Sequence, residues 1–366
     1  MVEFDLSGAP AAGVDLRLVG YNDNARLGEI PGRAFVKNSV YARKNGKVQL
    51  AFDPKIAFPN AAGNFGSFQV EVDVVGEGDP LIDRDEYVIL DLVNGTKLVM
   101  KRIRAKDVVW TMGPAENDSR AMDSTYWSHP QMGESRVQVK LTKDYFMGIF
   151  ELSQTQYKTL TGENPSFFTN VNSSALYPVE NVPLTWSAME TKLKTRHDFG
   201  FRIPTEAQWE FAARAGYEGV GLPNGKMPES SMSGSTPVWS NLQELEGFAY
   251  SVGNTDRNVQ TVVLSVGSGR PNAYGLYNTL CNVSAWVVDK PQRNLAGYYA
   301  SSSKPVEDPR STTAEGMYGN SYGMLKGGNF RQVQWWRYAT RLATPDGQAT
   351  YNGQPAWGWR LCADAE

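Results

Sequence analysis

Over the first hundred residues, apolar positions come in short runs, often at every second residue. "KVQLAFD", "SFQVEVDVV", "EYVILDLV" and "TKLVMKRIRA" are rich in Val, Ile, Leu and aromatics, the pattern of half-buried strands. Between them lie clusters such as "FPNAAGNFG" and "GEGDP", whose Gly, Pro, Asn and Asp are turn formers. No helical period interrupts these strands. The pattern predicts a small antiparallel β-sandwich over residues 1–105. Nothing in it carries chemistry, so it reads as a spacer or attachment module.

From about Val108 the pattern changes to long loops with a few short, capped helices. In "ELSQTQYKTLTG", Ser153 stands three residues before Gln156, the spacing of a capping box, and Gly162 supplies the stop. "PTEAQWEFAARAG" repeats the device with Thr205, Gln208 and Gly216. Trp209, Ala212 and Ala213 share a face of that helix, which therefore packs through small residues and one indole. Residues 216–325 are rich in Gly, Ser and Asn. So long an irregular stretch predicts a functional loop system that needs local staples, bound calcium being a common kind.

At 366 residues the chain is long enough for two domains, drawn here as 1–105 and 108–366. Its 36 Lys+Arg against 39 Asp+Glu, with no basic run, predict no nucleic-acid partner. Two cysteines, Cys281 and Cys362, exclude a Cys-rich zinc site and leave one disulfide open. Two histidines, His129 and His197, cannot form a His triad; both read as structural. No apolar run reaches the roughly 18 residues of a membrane span. The opening "MVEFDLSGAP" has no signal-peptide pattern.

Seven segments then appear in order: "TMGPAENDSR", "YFMGIFELSQTQYKTLTGENPSFF", "YPVENVPLTWSAM", "FRIPTEAQWEFAARAG", "PNAYGLYNTLCNVSAWV", "LKGGNF" and "GWRLC". Together they resemble the formylglycine-generating enzyme, or sulfatase-modifying factor, family. The resemblance implies an α+β fold over residues 108–363, a loop-rich C-type lectin-like domain; the sandwich before it lies outside the resemblance. That fold hosts oxidases and pure binders alike, so function has to be read from the site.

The oxidases of the family hold copper with two cysteines after "KGG". Counted from Lys326-Gly327-Gly328, those positions fall on Gln332 and Arg337, which supply no thiolate for Cu(I). The iron-dependent relatives need a histidine cluster that is absent from this sequence. One calcium site of the family resembles "YNTLCNVSAW", with Asn278 and the carbonyls of Cys281 and Val283. Its acidic ligand falls on Ala285, and losing the one carboxylate weakens a hard-cation site. The other resembles "WSNLQELEGFAYSVGNTDRN", where Asn241, the Leu242 carbonyl, and Asp256 or Asn258 are the candidate ligands. Calcium is thus the one cofactor the resemblance leaves open.

The closing stretch "NFRQVQWWRYATRLATPDGQATYNGQPAWGWRL" concentrates Trp, Tyr, Arg and Gln, the residues of interface hot spots. In relatives this segment lines the exposed face of the lectin fold. In the variable proteins of diversity-generating retroelements it carries the ligand contacts. Arg331, Gln334, Trp336, Tyr338 and Thr340 are expected to face outward, with Gln332 and Trp335 as further candidates. Asp346, Gln348, Tyr351 and Asn352 are expected along the rim. Phe330, Trp357 and Trp359 are expected inside. The reading is a non-catalytic recognition protein for a protein or other macromolecule, at a cell surface, secreted or on a virion. The alternative is a metal-dependent oxidoreductase of the same family with other ligands.

Overall fold

The structure, a computed structural model, describes residues 1–9, 14–30, 34–37, 43, 45–58, 67–75, 87–92, 96–116, 118–119, 121, 127–128, 131–169, 177–182, 200–220, 230–233, 236–239, 271–315, 322–329, 336–345, 350–351 and 354–365. The N-terminal part is a β-sandwich of two three-stranded antiparallel sheets with one short helix, Pro54–Ala57. In one, Gly46–Phe52 lies between Val2–Leu6 and Phe35–Lys37. In the other, Asp15–Asn22 lies between Ala25–Glu29 and Phe68–Val75. Alternate residues point inward, as a half-buried strand demands: Leu16 and Leu18 from one sheet, Val48 and Leu50 from the other. Gly20 has no room for a side chain, since a Cβ there would meet the Phe58 ring at 2.3 Å.

The strands Tyr87–Asp91 and Lys97–Ile103 form a hairpin that pairs elsewhere. Lys97–Ile103 runs antiparallel to Tyr145–Gly148, which pairs in turn with the terminal Cys362–Asp364. A division at residue 105 leaves this hairpin on the N-terminal side, whereas its hydrogen bonds lie in the C-terminal sheet. The chain's last strand therefore closes on a strand more than 200 residues earlier.

The rest is the α+β, C-type lectin-like part. A six-stranded sheet runs in the order Trp127–Ser128, Gln131–Met132, Leu342–Pro345, Tyr322–Lys326, Ser284–Val287, Trp357–Gly358. A three-stranded sheet sets Val137–Lys140 between Val306–Glu307 and Val109–Met112. Both expected capping boxes form, at Ser153 with Gln156 and at Thr205 with Gln208. Gly162 takes the left-handed stop at φ 85°, but the second helix ends on Ala215 at φ 48°, with Gly216 following. That helix, Glu206–Arg214, is buried at every position but Gln208, so it is a core strut and not a surface helix.

Of the expected inward residues of the closing stretch, Trp357 and Trp359 are buried, at 2% and 1% exposed, and Phe330 lies outside the described residues. Trp357 packs edge-on against Trp286, and Trp359 against Tyr157. Cys281 and Cys362 are both buried thiols, and no disulfide joins them. Burial raises the Cys362 thiol to about 12 despite the Arg202 guanidinium, whose Nη1 lies 2.9 Å from the sulfur. That thiol stays protonated and inert.

Candidate functional site

The strands Tyr322–Lys326 and Leu342–Pro345 pair antiparallel and bracket the segment 327–341. Gly327 and Gly328 lead the chain out of the first strand at φ 91° and 65°. A side chain at Gly327 would meet the Thr279 carbonyl at 2.9 Å and the Trp209 ring at 3.0 Å, which is why the turn uses glycine. Asn329 is fully buried and its Nδ2 donates to Ser284 Oγ at 3.2 Å.

Charged side chains with almost no solvent exposure hold both ends of this segment. Lys326 Nζ donates to Glu206 at 3.3 Å and to Glu210 at 3.1 Å. Arg341 donates to the same Glu206 at 2.8 Å, and its Nη1 to the carbonyls of Gly133 and Gln292 at 3.1 and 2.6 Å. Arg214 pairs with Glu210 one helical turn away at 2.9 Å. Burial pushes the Glu206 carboxyl upward, but Arg341 and Lys326 outweigh it and hold the group below its ordinary value. Glu206 is therefore ionised, as its two cationic partners require.

A second knot sits at Arg337. Its guanidinium donates to Asp118 at 2.9 and 2.6 Å and to Glu134 at 2.8 and 2.6 Å, with 4% of its side chain exposed. Burial raises the Glu134 carboxyl against the pull of Arg337. Arg337 is the position at which the resemblance implies the second copper cysteine. A guanidinium bound to two carboxylates offers a metal no lone pair, so the residues present do not fit a Cu(I) centre. Gln332, the other implied position, lies outside the described residues.

Three of the expected outward residues face inward. Trp336 is 0% exposed, Tyr338 3% and Thr340 3%. The Trp336 indole N–H donates to the Asn329 carbonyl at 2.8 Å, a bond that closes the loop on itself. Tyr338 packs on Tyr217 at 6.3 Å between ring centres, with the Arg214 guanidinium 5.2 Å over its ring. The reason is local geometry: residues 336–341 are turn rather than strand, so the two-residue alternation does not apply. Of the other expected contacts, Arg331, Gln332, Gln334, Trp335, Asp346, Gln348 and Asn352 lie outside the described residues. Tyr351 is placed in the strand Thr350–Tyr351, without a described side chain.

The calcium candidates Asn241, Leu242, Asp256 and Asn258 also lie outside the described residues, as do His129 and His197. At the other motif, Asn278 takes φ 51° and its buried Oδ1 has no partner among the described residues. Ala285, where an acidic ligand is implied, is a buried strand residue opposite Lys326. The carboxylate of Glu151 is occupied by the Asn282 amide at 2.5 Å and the Val283 N–H at 3.1 Å. Asn278 and the carbonyls of Cys281 and Val283, with no free carboxylate among the described residues, are a poor donor set for a hard dication.

The anchors Lys326, Glu206, Glu210, Arg337 and Asp118 were missed as a group by the sequence reading. One signal was present: two acids, Glu206 and Glu210, stand four apart on the helix, and two bases, Arg337 and Arg341, stand four apart in the closing stretch.

The profile of the sulfatase-modifying factor enzyme 1-like domain matches residues 98–365. The formylglycine-generating enzyme of Thermomonospora curvata is 31% identical over 160 residues, 42% of this chain and 48% of that one. The Streptomyces coelicolor enzyme of the same name is 29% identical over 167 residues, 46% of this chain and 48% of that one. The chain thus spans about half the length of these curated relatives. Among solved structures, Treponema denticola variable protein 1 superposes with a TM-score of 0.53 at 20% identity, over 76% of this chain and 99% of that one. PvdO from Pseudomonas aeruginosa gives 0.51 at 16% identity over the same shares. At these identities the two structures establish a shared fold.

Proposed function

The chain belongs to the sulfatase-modifying factor enzyme 1-like family, and from that premise we propose that it is a binding protein rather than one of the family's oxidases. The observation that carries this reading is the Arg337 knot. The position that an oxidase gives to a copper thiolate is here a buried guanidinium clamped by Asp118 and Glu134. The knot fixes the segment that in the variable proteins carries ligand contacts. A neighbour of this fold bears the name variable protein, which is compatible with the same use.

In this reading the recognition face is built by Arg331, Gln332, Gln334 and Trp335, with Asp346, Gln348, Tyr351 and Asn352 along its rim. The ligand is a protein or another macromolecule met outside the cell or at its surface. The retroelement form of the proposal expects a reverse-transcriptase gene beside the coding region, with an adenine-rich near-copy of the stretch encoding residues 325–362. A locus without either overturns that form. The binding reading itself is tested by metal and activity. Anaerobic Cu(I) titration should give no stoichiometric binding that survives dialysis, and a cysteine-containing sulfatase-type peptide should not be oxidised. The names of the curated relatives favour an oxidase, and positive results in both assays would restore it.

A further inference from the structure

Two edge strands of the N-terminal sandwich face each other across a groove. Among the described residues, Val2–Leu6 pairs only with Gly46–Phe52, and Phe68–Val75 only with Asp15–Asn22. The groove between their starts has a volume of about 430 Å³ and is lined by Met1, Val2, Phe52, Pro54, Phe68 and Val70, all apolar. In register with Asp15–Asn22, the residues Phe68, Val70, Val72 and Val74 stand opposite Asn22, Gly20, Leu18 and Leu16, on the core side of the sheet. The core covers them incompletely. Phe68 is 37% exposed and Val74 52%, whereas Leu16 and Leu18 one strand further in are 2% and 1%.

An edge strand directs every second N–H and C=O away from its neighbour, which makes it a template for one more strand. Edges are commonly guarded by lysine, proline or a bulge. Phe68–Val75 has no lysine or proline, and its register with Asp15–Asn22 is unbroken. What it carries is acid: Glu71 and Asp73 alternate with its valines, as Glu3 and Asp5 alternate with apolar residues on the other edge. The bases lie one strand further in, where Arg17 pairs with Asp73 and Lys47 with Glu3. Each sheet therefore runs from base to acid toward its open edge. That order disfavours a second copy of this chain as the neighbour. Two Phe68–Val75 strands paired antiparallel along their length, with their apolar faces matched, set Glu71 opposite Glu71 or Asp73. Pairing with Val2–Leu6 likewise sets acid opposite acid, and like charges across a strand pair are destabilising.

We propose that the Phe68–Val75 edge takes up, as an added strand, an extended segment of another protein in which apolar and basic residues alternate. The main chain of that segment bonds the open edge. At one end its apolar side chains fill the groove over Phe68 and Val70, and at the other they cover Val74. Its Lys or Arg side chains stand on the opposite face, beside Glu71 and Asp73, so the order of base, acid and base continues across the sheet. This inference stands on the sandwich alone and is independent of the recognition reading.

The test titrates the full chain into three fluorescein-labelled octapeptides and follows anisotropy. One alternates Val and Lys, one alternates Val and Glu, and the third is the Val-Lys peptide built of alternating L- and D-residues. The third keeps charge and composition, but its side chains no longer alternate between the faces of an extended strand. The all-L Val-Lys peptide should bind saturably, and the other two about tenfold or more weaker. Glu71→Lys should weaken the Val-Lys peptide and strengthen the Val-Glu peptide. Val74→Lys sets a charge on the inward face of the edge and should weaken both. Both positions are exposed, so unchanged thermal unfolding certifies these variants as folded. No saturable binding of the Val-Lys peptide at millimolar concentration overturns the proposal. Equal binding of the L/D peptide overturns it too, since charge alone then explains the attraction, as does binding indifferent to both variants. Sedimentation of the full chain should show no self-association that Val74→Lys abolishes; if it does, a second copy occupies the edge and the proposal fails.

Discussion

Trp336 shows how much a single side chain can decide. Its indole is fully buried and bonded to the Asn329 carbonyl, so Trp336→Ala should destabilise the protein by about 3–5 kcal/mol, as buried aromatic truncations do. Trp335, its neighbour in the chain, is an outward residue in our proposal, and Trp335→Ala should stay within about 0.5 kcal/mol. Denaturant titration of the two variants separates them; equal losses would move Trp335 into the core. The sequence reading expected Trp336, Tyr338 and Thr340 to face outward, and all three are buried. Those burials depend on partners such as Tyr217 and Asn329 and on a turn, and alternation along an extended chain encodes neither. Protonation is a second matter at this scale. Burial lifts the Glu151 carboxyl from 4.5 to about 8, against the pull of Arg360. Burial and the Glu206 charge lift Asp289 from 3.8 to about 7. Between the unfolded and folded values the folded protein binds more protons than the unfolded chain, so stability falls as pH rises through that window. Melting temperatures should drop from about pH 5 to about pH 8, and Glu151→Gln should flatten part of that slope.

Among the elements, the two capped helices were the most legible, because a capping box is written within four residues. Their N-terminal serine and threonine accept from Gln156 and Gln208 N–H as read, and Thr205→Ala should cost about 1 kcal/mol. The C-terminal end of the same helix differed from expectation. Ala215, not glycine, takes the left-handed conformation at φ 48°, and its Cβ is strained there. Ala215→Gly should therefore stabilise the protein by roughly 0.5–1 kcal/mol, an increase readable in the denaturant midpoint; a loss would mean that the Cβ packs productively. The strands 46–52, 68–75, 87–91 and 97–103 were also legible from alternation. Their partners were not, since alternation reports which face is buried and never which strand lies alongside. The hairpin 87–103 consequently reads as part of the sandwich in sequence, yet pairs with Tyr145–Gly148.

In the whole molecule, that hairpin sets where the chain can be divided. One apolar cluster extends from Leu16 and Leu50 of the sandwich to Val139, Met147 and Ala212 of the lectin-like part. We propose that the C-terminal unit begins at Tyr87. A fragment 87–366 should unfold cooperatively, whereas 108–366 loses two strands of a four-stranded sheet and should not; calorimetry of both fragments decides it. The family was legible because seven short motifs in order leave few alternatives, while the ion pairs were not, since Arg337 and Asp118 are 219 positions apart. Those pairs have a further consequence. Lys326 and Arg341 grip the same carboxylate of Glu206, and the Trp336–Asn329 bond pinches the loop between them. The chain entropy of joining the loop's ends is thus met by groups outside residues 330–335. Loop-closure entropy grows only with the logarithm of length, so doubling that stretch should lower stability by about 0.6 kcal/mol. Between its two clamps, the protein has a place where residues can be inserted as well as exchanged without renegotiating the fold.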